Sequence, residues 1–203
     1  MSFTKLNFFL TNLSAIFLAR KTLLLSASCA VGSIAGGLLI HEVVEKIFQK
    51  FDFSEPSKLK SPPIAKDEKY IRFMQNPFVQ GLIMPACEET IFREGLQNGL
   101  VRAFSSLGFS SPASLVASLL GASTLFSWAH VSQLLHGEQP LQHRMARAAS
   151  TGFSGLLFGY AYMQGGLWAS IGAHALLNSF LTIENTAIQH FKEKARAKKD
   201  NTP

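Results

Sequence analysis

Cysteine is scarce in this chain. The two residues, Cys29 and Cys87, both fall inside apolar stretches. They form no CxxC pair and are too few for a disulfide framework. Each is expected to be a small buried apolar residue, although Cys87 adjoins a pair of carboxylates. Zinc-finger, RNP and P-loop patterns are also missing, as are internal repeats and low-complexity tracts. A net charge of +6 therefore comes without any motif that reads nucleic acid, and no nucleic-acid partner is expected. Neither apolar stretch near the N-terminus ends in a small-residue cleavage site, which favours an uncleaved anchor over a signal peptide.

What the chain does have is uncharged stretches alternating with short charged ones. Hydrophobic residues make up 47% of the total, a value that also suits a soluble protein, so distribution decides where composition does not. A helix that crosses a bilayer needs about 20 mostly apolar residues, and Thr22 to Ile40 supplies them without a charge. Its run Gly32-Ser33-Ile34-Ala35-Gly36-Gly37 suits close helix packing in lipid. The earlier stretch Phe8 to Ala19 is stopped short by Arg20-Lys21, and reads as an interfacial helix or as part of the same hairpin. Further spans are expected at Pro77 to about Ala103, Ala113 to about Leu135, Ala148 to Gln164, and Leu167 to Ile183. Ser105 to Pro112 and Gly165-Gly166 are the turns between them.

The fold class that follows is all-α: a polytopic transmembrane bundle of about five spans with an N-terminal interfacial helix. Three regions are expected: an anchor and polar segment (1–72), a catalytic helix core (73–184) and a basic tail (185–203). Lys and Arg collect in His41 to Arg72, which holds Pro56, Pro62 and Pro63, in His136 to Arg147, and in the tail Lys192 to Lys199. The positive-inside rule puts all three on the cytoplasmic side. The C-terminus is then cytoplasmic and the bilayer itself is a partner. His41-Glu42-Val43-Val44-Glu45 misses the zincin pattern by one residue, Glu45 standing for the second His. It reads as a charged helix start.

Ionisable groups inside a membrane helix cost roughly 2.5–3.5 kcal/mol each on insertion scales, so a chain keeps those that pair, line a wet cavity or act. Three groups qualify. In Glu88-Glu89-Thr90-Ile91-Phe92-Arg93, Glu89 and Arg93 are four apart and share a helix face. Glu88 points about 100° away and is left free. A carboxylate in a poorly solvated cavity holds protons more tightly and can take one from water. In Phe126-Ser127-Trp128-Ala129-His130, the aromatic ring and the imidazole share a face. In His174-Ala175-Leu176-Leu177-Asn178, imidazole and amide do the same, and such a pair can hold an oxyanion or serve as interhelical polar glue.

The ordered set E-E-x-x-x-R, F-x-x-x-H, H-x-x-x-N resembles the CPBP family, which comprises type II CAAX prenyl endopeptidases and the bacterial Abi bacteriocin-processing and self-immunity proteins. The stretch from Gly155-Leu156-Leu157-Phe158-Gly159-Tyr160 to Gly166-Leu167-Trp168-Ala169-Ser170-Ile171-Gly172-Ala173-His174 looks like that family's last two core helices. The resemblance covers roughly Pro77 to Ile183. It implies an intramembrane endopeptidase in a bacterial plasma membrane, acting on a peptide or membrane-protein substrate. Glu88 would be the general base, His130 would bind the water or share its proton, and His174 with Asn178 would hold the oxyanion. Glu89, Arg93 and Phe126 would support them. No cofactor is expected. The alternative is a zinc enzyme, with Glu88, His130 and His174 as ligands.

Three other readings compete. Gly152-Phe153-Ser154-Gly155 has the G-x-S-G form of rhomboid serine proteases, with His174 as base, but rhomboids place H-x-x-x-N before the serine. A non-catalytic immunity or partner-binding protein would use the same residues for assembly. A proton-coupled transporter would use Glu and His as a relay, but no inverted repeat accompanies them.

Overall fold

The structure is a computed structural model that describes residues 3–50, 73, 76–134 and 141–200. The proline-rich stretch expected between Lys50 and Arg72, and the first part of His136 to Arg147, lie outside the described residues. Every element among the described residues is helical. Lipid offers no partner to backbone N–H and C=O groups, so each segment must satisfy its own.

Helix α1, Phe3–Lys50, is continuous. At 1.5 Å per residue its 48 residues reach roughly 72 Å, more than twice the hydrocarbon thickness. Phe8 to Ala19 is therefore no separate element. Arg20-Lys21 interrupt the apolar run but leave the helix unbroken.

Helix α2 spans residues 77–106. Asn76 caps it, its Oδ1 accepting the Phe78 N–H at 2.9 Å, and Pro77 takes the first helical position, where a missing N–H costs nothing. Its far end closes at Gly108, φ 87°. There the N–H of Gly108 reaches Ser105 O and that of Phe109 reaches Phe104 O, both at 3.1 Å. The Phe104 and Phe109 rings meet at 5.4 Å. This is a Schellman ending with its usual apolar contact.

Helix α3 is Ser111–Leu134. The last helical run, Leu141–Asp200, breaks at Gly166 (φ 73°, ψ −172°), a conformation open only to glycine. It thus makes two helices, α4 (residues 141–165) and α5 (residues 167–200), joined where the Gly165-Gly166 pair predicts a turn. Among the described residues, three stretches are long and apolar enough to cross a membrane: Leu18–Lys50, Ser111–His130 and Leu141–Ile188. The third contains the break. Helix α2 falls short of that hydropathy because it carries Glu88, Glu89, Arg93 and Glu94.

Small residues set the packing. Helix α1 lies against α4 through Gly32, Gly36 and Gly37, as the glycine run implies, and meets α5 where the Ser26 hydroxyl donates to Ala169 O at 2.9 Å. A Cβ on Gly36 would stand 2.2 Å from the Phe153 ring. Gly36→Ala should therefore lower the thermal midpoint in detergent by an amount corresponding to about 1–3 kcal/mol of overpacking, and Phe153→Ala should offset much of that loss. On the other side of α4, Gly152 and Gly155 meet Ser127 and Ser123 of α3. Buried at the centre are Phe126, Phe158, Cys29, Ala161, Ala169 and Ala173.

Candidate active site

Glu89 and Arg93 are both fully buried, and Arg93 Nε donates to Glu89 Oε2 at 2.8 Å. The expected i,i+4 pair is present, but it does not stand alone. Ser170 of α5 donates its hydroxyl to the same Oε2, and His174 Nδ1 meets Oε1 at 2.9 Å. Glu89 thus links a guanidinium on its own helix to an imidazole on α5. A carboxylate accepts only, so the contact fixes the proton of His174 on Nδ1 and turns Nε2 outward.

His130 is oriented in the same sense by a different group. Its Nδ1 meets the carbonyl of Phe126, one turn back, at 2.8 Å. That oxygen also only accepts, so Nε2 again faces away from the anchor. Between the two imidazoles stands Glu88. Its Oε2 is 3.7 Å from His130 Nε2 and 3.7 Å from His174 Nε2. Glu88 remains partly exposed, whereas His174 is buried. The result is one accessible carboxylate facing two imidazole nitrogens whose opposite edges are tied down.

Phe126 is the hub of the aromatic packing. It is buried, and its ring contacts His130 at 4.4 Å, Phe92 at 5.1 Å and His174 at 5.7 Å. The Arg93 guanidinium lies 5.5 Å from its centroid, a cation–π contact for a group whose two terminal nitrogens have no hydrogen-bond partner. Phe158 stacks on His174 at 4.7 Å and 17°. Ser170 and Phe158 carry no weight in the motif reading. Ser170 precedes His174 by four residues, so helical spacing alone could have picked it out. Phe158 gives no such signal.

Asn178 is placed differently from the other motif residues. Its Nδ2 donates to the backbone carbonyl of Gln80 at 3.0 Å, joining α5 to the start of α2. The local cause is Pro85. Residues Val79–Ile83 form a wide π-helical turn in which the Met84 N–H returns to Val79 O. In that register Gln80 O would look to residue 85, which is proline and has no N–H. The Asn178 amide supplies the missing donor and keeps one N–H in hand. Asn178→Ala should cost about 0.5–1.5 kcal/mol, the net worth of the lost hydrogen bond to an exposed carbonyl. The loss should shrink in a Pro85→Ala background, as a double-mutant cycle on thermal midpoints would read.

Cys87 is exposed, not buried; Cys29 is buried as expected. Two residues from Glu89 is about 200° around a helix, so burial of Glu89 turns Cys87 to the outer face. Ser154 donates to Ser150 O at 3.1 Å, one turn back, while the ring nitrogens of His174 face Glu88 and Glu89. That arrangement gives the rhomboid-like serine no base.

A zinc ion would find suitable donor types in Glu88 Oε2, His130 Nε2 and His174 Nε2, each imidazole backed by an acceptor on its other nitrogen. The spacing is looser than the chemistry. Among the described residues, the trio whose ligand atoms all lie within 4.8 Å of one another is a different one, His41, Glu45 and His143. The imidazoles at Glu88 would have to draw together to share an ion.

A helical membrane protein with a paired-carboxylate and two-histidine centre is the class that fold and site define. The family description "Type II CAAX prenyl endopeptidase Rce1-like" matches residues 72–180, more than half of the chain. The chain belongs to that family, and at the family level it is a CAAX-type intramembrane protease of the CPBP group. No curated protein and no solved structure matches it.

Proposed function

We propose that this protein is an intramembrane endopeptidase in which Glu88 activates water for attack on a peptide carbonyl. The observation that carries the reading is the placement of Glu88 Oε2 3.7 Å from each of two imidazole Nε2 atoms. That gap is too long for a direct hydrogen bond and suits a bridging water. Glu88 takes the proton of the water. His130 Nε2 positions it. The imidazolium form of His174, its second proton taken from solvent before the attack, donates from Nε2 while its Nδ1–H stays on the Glu89 carboxylate. In that state it stabilises the tetrahedral oxyanion, joined by the second N–H of Asn178. Glu88 then returns its proton to the leaving amine.

No metal is required in this scheme. Zinc held by Glu88, His130 and His174 would polarise the carbonyl or the water instead. The substrate is a peptide or a membrane protein that reaches the site from within the bilayer. An apolar groove of about 820 Å³ lined by Leu18, Thr22, Phe78, Gly81, Gly172 and Leu176 opens between α1, α2 and α5, but Glu88, His130 and His174 do not line it. The proposed setting is the bacterial plasma membrane with the C-terminus in the cytoplasm, supported by the basic segments flanking the spans.

The test is product analysis. Purified protein in detergent, incubated with membrane-spanning peptides in H₂¹⁸O, should release fragments with ¹⁸O in the new carboxyl group. A stable protein that cleaves none of them would favour the immunity or partner-binding reading.

A further inference from the structure

Three ligand-type side chains gather well away from the Glu88 centre. His41 and Glu45 are four apart on one face of α1, with His41 Nε2 3.0 Å from Glu45 Oε1. His143, in the first turn of α4, brings Nδ1 to that same carboxylate oxygen. The two imidazole rings lie near parallel, 6.4 Å apart at 23°. All three ligand atoms lie within 4.8 Å of one another.

Simple ion pairing accounts poorly for this arrangement. Glu45 Oε1 is buried, yet no hydrogen bond of acceptable geometry satisfies it, despite the two nitrogens at its side. A buried carboxylate oxygen without a directed donor is costly. A cation among the three atoms removes that cost and uses a lone pair from each neutral imidazole. The neighbouring cations leave room for it. Lys46 is engaged by Glu42 at 2.6 Å, and Arg144 projects about 100° around α4 from His143.

We propose that His41, Glu45 and His143 bind a divalent transition-metal ion of the zinc class and so tie α1 to α4. Two imidazoles and one carboxylate with a remaining position for water is a known zinc ligand set. The sequence offers only the His41 and Glu45 half of it; the third ligand comes from about a hundred residues further on. The ion would brace the start of α4. Ser127, one turn before His130, donates to Ala148 O at 2.7 Å on that same part of α4. Bracing there steadies the helix end that carries His130. The inference does not depend on the proposed peptidase chemistry.

The test uses the full chain in detergent, stripped with a chelator, desalted and titrated with Co²⁺ and then Zn²⁺. A single equivalent of Co²⁺ should give visible d–d bands, Zn²⁺ should displace it, and the thermal midpoint should rise as the ion saturates. His143→Gln and Glu45→Gln should each weaken binding by roughly tenfold or more, whereas Glu88→Gln and His130→Gln should leave it unchanged. His143 is half-exposed, so its variant keeps the fold; helical circular dichroism checks this, and His41→Gln replaces any variant that fails it. No binding at micromolar free metal would overturn the proposal, as would binding that survives His143→Gln or disappears in His130→Gln.

Discussion

Glu88→Gln should abolish peptide hydrolysis and leave the thermal midpoint almost unchanged. Glutamine keeps the shape of the side chain and loses its ability to take a proton. General-base catalysis contributes roughly a hundred- to ten-thousandfold to rate, and the loss should fall in that range or below detection. Stability should be spared for a structural reason. Glu88 is partly exposed, and its contacts to His130 and His174, both at 3.7 Å, are longer than hydrogen bonds. The fold does not hang on them. Turnover by the variant at the wild-type rate would remove Glu88 from the mechanism. Glu89 could not easily replace it, being held by Arg93, Ser170 and His174.

Glu89→Gln should do the opposite to stability. It leaves the Arg93 guanidinium fully buried without its counter-charge, and breaking such a pair costs about 3–5 kcal/mol. The phenyl face of Phe126 offsets only part of that. Activity should fall as well, because His174 loses the carboxylate that holds its ring. Combining Glu89→Gln with Arg93→Met should separate the two effects. A matched neutral pair recovers much of the stability, since a buried ion pair is often replaceable by uncharged groups. It should not recover turnover. Thermal unfolding in detergent and single-turnover cleavage on the wild type, Glu89→Gln, Arg93→Met and the double variant measure both. A stable and fully active Glu89→Gln protein would show that the buried chain from Arg93 to His174 is only packing.

Much of this architecture is legible locally. Apolar stretch length sets the helices, Gly165-Gly166 marks the α4–α5 break, and the Ser105 to Pro112 composition marks the Schellman turn. Spacing of four pairs Glu89 with Arg93 and brings Phe126 under His130. What spacing cannot give is the partner from another helix. Ser170 bonds Glu89 across 81 positions, and Asn178 reaches Gln80 across 98. The Asn178 contact has a readable cause, the missing N–H of Pro85, but nothing local says which distant amide will answer it. The same limit hides His143 from the His41-Glu45 pair. Arg20-Lys21 mislead for another reason: a pair of charges interrupts an apolar run without interrupting the backbone hydrogen bonds of a helix. Cys87 is exposed because an apolar neighbourhood in sequence is not a buried face.

The most direct test of the account is cleavage of quenched fluorogenic membrane peptides by wild-type protein and by Glu88→Gln, each with and without a strong chelator. Cleavage by the wild type that persists with chelator and vanishes in Glu88→Gln is the result expected of a glutamate-activated water. Cleavage that the chelator abolishes in the wild type, and that metal restores, would contradict it and make Glu88, His130 and His174 ligands of an ion.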